Sequence, residues 1–109
     1  MIEQATAFFH LEGDAYIGQD PARGPWSEHH CHGGPVTGAI ARSIELLAGQ
    51  AKPLVRLTVD LMRPVPLAGF RVEAKLLGET RRLATVSAEL TDLNGKVCAT
   101  ARSMHIAEV

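Results

Sequence analysis

The chain has 109 residues, 46% apolar and 21% charged, with 11 Lys+Arg against 12 Asp+Glu and a formal net charge of −1. That length fits a single domain spanning residues 1–109, and a balanced charge without a long like-charged run argues against a nucleic-acid-binding surface. Apolar runs of only a few residues argue against a membrane-spanning helix, the start at Glu3 and Gln4 is unlike a basic-then-apolar leader, and two cysteines, Cys31 and Cys98, are too few for a disulfide framework. A soluble, unprocessed, cytoplasmic protein is expected.

In chain order, Ala7, Phe9 and Leu11 alternate with Phe8, His10 and Glu12 up to a Gly13-Asp14 break, and Ala15-Tyr16-Ile17 follows, which predicts a short hairpin. From Gln19 to Gly34 turn formers and polar side chains dominate around Trp26, the only tryptophan. A loop of this length in a small domain is usually functional or packed down by its own side chains. Pro35 is the predicted first helical residue, Val36, Ala39, Ile40, Ser43, Ile44 and Leu47 recur at helical spacing, and Gly49 supplies the stop. The opposite positions are small (Gly38, Ala41, Ala48) or charged (Arg42, Glu45), so a largely buried helix is expected. After Lys52-Pro53 the period becomes two: Val55, Leu57, Val59 and Leu61 are set against Arg56, Thr58 and Asp60, and Arg63-Pro64-Val65-Pro66 ends the strand. Phe70 to Leu76, Leu83 to Thr91 and Lys96 to Ile106 read as further strands, turned at Gly78-Glu79-Thr80-Arg81 and at Asn94-Gly95. A hairpin, one long helix and four consecutive antiparallel strands predict an α+β fold, one sheet of about five to six strands wrapped around a single helix.

Three segments in that order carry a family resemblance: Ala22-Arg23-Gly24-Pro25-Trp26-Ser27, His32-Gly33-Gly34-Pro35, and Arg56-Leu57-Thr58-Val59-Asp60-Leu61-Met62-Arg63-Pro64-Val65-Pro66. Together they resemble the N-terminal half of the double hot-dog acyl-CoA thioesterases of the acyl-CoA thioesterase II type, over roughly Phe8 to Ile106. The resemblance implies a hot-dog fold, an acyl-CoA substrate hydrolysed to free acid and CoA, a place in fatty acid metabolism, and no cofactor. It also implies that a glycine N–H at Gly33 or Gly34 contacts the thioester oxygen. A Gly-Gly pair at a helix N-terminus suits that role, because the N–H groups lack intrahelical acceptors and no side chain keeps a carbonyl away. The same pair also serves as a tight entry into the helix. His32 would position the loop or the substrate.

The carboxylate that activates water is harder to place. Single-domain thioesterases that share His-Gly-Gly carry it on the same helix about two turns later, and nine residues on from His32 stands Ala41. In the double hot-dog enzymes the acid comes from the C-terminal half. An acid is therefore expected from another hot-dog, either a second copy of this chain or a second domain; in a homodimer Glu45 or Asp60 would have to serve, although Asp60 alternates away from the helix. Trp26 stands as a channel wall or a loop anchor, and Arg63, in the family-like segment, as a contact for CoA phosphate among Arg23, Arg42, Arg81 and Arg82.

Other chemistries fit less well. His29, His30, Cys31 and His32 are adjacent and cannot all converge on one ion, so no metal site is expected. Cys31 beside His32 lacks an oriented carboxylate and reads as a small buried residue rather than a nucleophile. The alternative of another class is a non-catalytic acyl-CoA-binding or dimerisation module, which Ala41 favours. A hot-dog dehydratase or hydratase would need a motif that Gly38 and Glu45 do not reproduce.

Overall fold

The computed structural model describes residues 8–25, 27–49 and 51–108. The hairpin forms where the alternation places it, as β1 (Phe9–Glu12) and β2 (Ala15–Gly18), with Gly13 at φ 63° in its turn. The helix α1 (Gly33–Ala48) is followed by β3 (Leu54–Leu61), β4 (Phe70–Glu79), β5 (Leu83–Asp92) and β6 (Val97–Ile106). All six strands join one antiparallel sheet in the order β1-β2-β4-β5-β6-β3. The α+β arrangement of one sheet and one helix agrees with the hot-dog expectation.

Period-two alternation sets the two faces of the sheet. Val86, Ala88 and Leu90 of β5 lie in register with Ser103, Ala101 and Ala99 of β6, all of them buried. Against this face α1 lays Val36, Ala39, Ile40 and Ile44, and Phe70 completes the core at zero exposure. Burying a side chain of that size stabilises by about 1.5–3 kcal/mol. Thr100, Arg102 and Met104 alternate to the outer face, as do Thr58 and Asp60 of β3.

The fold departs from the expectation in three places. The four later strands are not a simple meander, because β3 lies at the far edge beside β6 while β4 pairs with the hairpin. The connection after β3 makes this crossing possible: its prolines end the strand, Val65 is buried, and its backbone is held by the long loop, with Cys31 N–H donating to Val65 O at 2.8 Å and Leu67 N–H to His29 O at 2.9 Å. The helix starts two residues earlier than predicted, placing Pro35 third. Its missing N–H still costs nothing there, since the first four helical N–H groups have no intrahelical partner. And α1 is not largely buried: Gly34, Gly38, Arg42 and Glu45 are exposed, as are Leu46 (70%) and Leu47 (44%). The sheet curls against one face of the helix only, and the small residues that suggested burial instead leave a smooth open strip.

Candidate functional site

The long loop is packed against the body of the protein. A single 3-10 turn, Asp20–Ala22, buries Ala22 completely; Arg23 pairs with Asp20 at 2.8 Å and donates to the carbonyl of Glu28. Gly24 N–H donates to His30 O and His32 N–H to Ala22 O, at 2.8 and 2.7 Å. A side chain at Gly24 would meet the Cys31 carbonyl at 3.2 Å, so any Cβ there would push the two arms of the loop apart by a few tenths of an ångström. Trp26 lies outside the described residues. Burial pushes the Cys31 thiol up to about 11, which leaves it protonated at neutral pH and unsuited to nucleophilic attack.

This clamp delivers His32 to the N-cap of α1, where its Nδ1 accepts the Gly34 N–H at 3.3 Å. A neutral ring making this bond carries its proton on Nε2. Gly33 and Gly34 form the first turn, where the helix dipole presents its positive end. They face different ways. A Cβ on Gly33 would lie 3.6 Å from Leu61 at the end of β3, whereas one on Gly34 would meet only the His32 ring at 3.9 Å.

Gly34 opens into an apolar groove of about 680 Å³ between α1 and the hairpin. Phe8, Phe9, Leu11 and Tyr16 form one wall; Gly34, Gly38 and Arg42, one helical turn apart, are the surface opposite. The aromatic wall is braced by Phe70, which stacks on Tyr16 at 5.3 Å and meets Phe9 edge-on at 5.2 Å. Such a groove suits an acyl chain whose thioester carbonyl lies at the helix N-terminus. A larger concavity of about 1120 Å³ lies on the outer face of the sheet, among Arg56, Asp60, Glu73, Lys75, Glu89 and Arg102. It is lined by charged side chains of both signs and lies away from the glycines, so the smaller groove is the better candidate.

His32, Gly33 and Gly34 are thus contiguous, and Arg63 follows Leu61 at the same end of the molecule, exposed, its N–H on the Cys98 carbonyl at 3.1 Å. Glu45 is not brought to them within one chain. It lies twelve residues beyond Gly33, roughly 18 Å along the helix. Asp60 is on the outer face, and among the described residues no carboxylate lines the groove. Among the described residues no three His, Cys, Asp or Glu side chains form a metal-binding group. Tyr16 and Arg42 were not singled out from the sequence for this groove; nothing in the spacing of residues 16 and 42 shows that a hairpin and a helix will share a wall.

An antiparallel sheet curled against one helix, with a glycine pair at the helix N-terminus opening into an apolar groove, defines a hot-dog domain of the thioesterase superfamily. Residues 22–106 match the family described as acyl-CoA thioesterase N-terminal domain, and the chain belongs to that family. No curated protein matches it significantly. Among solved structures it is similar to Escherichia coli PaaI from the phenylacetic acid degradation operon (TM-score 0.79, 15% identity, 87% of this chain and 70% of that one). A phenylacetic acid degradation-related protein of Ralstonia eutropha JMP134 is similar over 85% of this chain and 73% of its own, with TM-score 0.76 and 22% identity. A Bacillus halodurans protein solved with CoA gives TM-score 0.78 at 12% identity, over 93% of this chain and 73% of that one.

Proposed function

We propose that this hot-dog hydrolyses acyl-CoA thioesters to free acid and CoA, and that its active site is completed by a second hot-dog. The observation that carries the reading is the apolar groove that opens on Gly34 and is lined by no carboxylate among the described residues. The CoA held by the Bacillus relative supports the substrate class. In this reading the Gly33 N–H, or the Gly34 N–H released from His32 Nδ1, holds the thioester oxygen together with the helix dipole, His32 shapes the turn that presents them, and Arg63 meets a CoA phosphate. A carboxylate takes a proton from water as the oxygen adds to the carbonyl carbon, and the C=O electron pair moves onto the oxyanion held by the N–H group. Its return breaks the C–S bond, and the stored proton goes to the departing CoA sulfur.

The second hot-dog is another copy of this chain or a fused C-terminal half of the type II arrangement. The β3 edge is the natural seam, since its far side has no strand partner among the described residues and Val55, Leu61 and Met62 beside it are each more than half exposed. In a homodimer Glu45 of the neighbouring copy is the candidate base. A reduced, cytoplasmic setting suits the two free cysteines. A non-catalytic acyl-CoA-binding module is the second reading, favoured by Ala41 in the position where single-domain thioesterases carry their acid.

Gly34→Val tests the role of the helix N-terminus. Its Cβ makes only an ordinary contact with the His32 ring, at 3.9 Å, so the variant folds and pairs like the parent, while the side chain bars the carbonyl from the N–H groups and CoA release falls by roughly a hundredfold, the scale of losing an oxyanion donor. Unchanged turnover in a well-folded variant contradicts the role.

A further inference from the structure

Arg42 is the one charged residue lining the groove among the described residues, and it sits on the glycine strip. Hydrogen bonds tie its side chain to the wall opposite. Ser43 Oγ donates to Ala39 O at 3.1 Å, so its lone pair accepts the Tyr16 hydroxyl at 2.8 Å, and the Tyr16 oxygen in turn accepts Arg42 Nη1 at 3.5 Å. Tyr16 is 7% exposed and stacked on Phe70, so this acceptor is fixed. The bond occupies one of the five guanidinium donors. No carboxylate takes the others, since none of the ion pairs among the described residues involves Arg42. Glu45, three residues on, is exposed and stays unpaired with it.

We infer that Arg42 reads the far end of the acyl group and that the preferred substrates carry a carboxylate there. The inference rests on the groove being the acyl channel. With the thioester carbonyl at Gly34, the chain runs along Gly38, and Arg42 stands two turns on, about 12 Å along the helix axis. A terminal carboxylate arriving there meets a forked donor suited to bidentate pairing. A methyl terminus instead strips water from the guanidinium and gives no bond in return.

The test measures dissociation constants by calorimetry for suberyl-CoA and octanoyl-CoA, equal in chain length and differing at the terminus, on the parent, Arg42→Gln and Arg42→Lys. Arg42 is exposed, so both variants keep the fold. The expected result is a preference for suberyl-CoA of roughly tenfold in the parent, the scale of one charge-assisted hydrogen bond. It is lost in Arg42→Gln and partly kept in Arg42→Lys, with octanoyl-CoA bound no more weakly than by the parent. Equal affinity of the parent for both esters, or a preference that survives in Arg42→Gln, overturns the inference. Equal weakening of both esters in Arg42→Gln also overturns it, because that places the guanidinium on a CoA phosphate. CoA release from octanoyl-CoA, followed in parallel, tests hydrolysis separately: absent turnover with an intact Arg42-dependent preference sinks the enzyme reading and leaves this one standing.

Discussion

Half-buried Cys31 and fully buried His105 have consequences that pH or substitution exposes. Cys31 holds its proton up to about 11 because burial disfavours the thiolate, whereas the unfolded thiol ionises at about 8.5–9. Between those values the unfolded chain has shed a proton that the folded one keeps, so stability is full below about 9 and falls as pH rises toward about 11. Urea unfolding at about pH 8 and about pH 10 should show a loss for the parent that is smaller in Cys31→Ala; equal losses contradict the assignment. His105 is fully buried on the core face of β6, its Nε2 bonded to Ser103 Oγ at 2.8 Å and its Nδ1 without a partner. Ser103→Ala strands the second nitrogen as well and should cost about 1–3 kcal/mol. Adding His105→Leu removes both unsatisfied atoms, so the double variant should recover part of that loss in the same unfolding experiment; further destabilisation would show that the histidine shape matters more than its polar atoms.

The elements themselves were largely legible, because each strand alternates apolar and polar residues and the helix repeats at three and four. The hairpin break at Gly13, the Asn94-Gly95 turn with Gly95 at φ 89°, and the stop at Gly49 all fall where the sequence puts them. Strand order was not legible, since alternation shows which face a residue takes but not which strand lies beside it. The position of β3 depends instead on the 62–69 connection, whose contacts with residues 18, 29 and 31 are all distant in sequence. The open helix face was missed for a related reason: small residues such as Gly38 mark close packing and an uncovered groove equally well. The connection also holds a testable strain point. Gly69 adopts φ 153°, and a Cβ there would lie 2.8 Å from Leu93 and 3.1 Å from Ile17. Gly69→Ala should therefore destabilise by more than ~1 kcal/mol and loosen the approach of β4 to the hairpin, read as a lower urea midpoint. An unchanged midpoint would mean that this crossing tolerates a side chain.

For the molecule as a whole, the glycine turn was legible as a motif, while the groove it serves was not, being assembled from α1 and a hairpin that precedes it by a long loop. At this scale the proposed oxyanion site has no acid of its own helix in reach: Ala41 stands where single-domain thioesterases carry it, Glu45 lies farther along the helix, and Asp60 faces outward. The proposed completion by a second hot-dog, with β3 as the proposed seam, rests on this arrangement. A lysine at the exposed Val55 should weaken that seam by placing a charge on the edge, leaving more monomer in light scattering at equal concentration; an unchanged oligomeric state would move the seam elsewhere. The most direct measurement is CoA release from a panel of short to long acyl-CoAs as protein is diluted through its dissociation, with light scattering on the same samples. Turnover per chain that rises and falls with the paired fraction, while acyl-CoA still binds the monomer, is the predicted result. Equal turnover by the isolated monomer would contradict it, because a carboxylate of this chain would then already stand at Gly34.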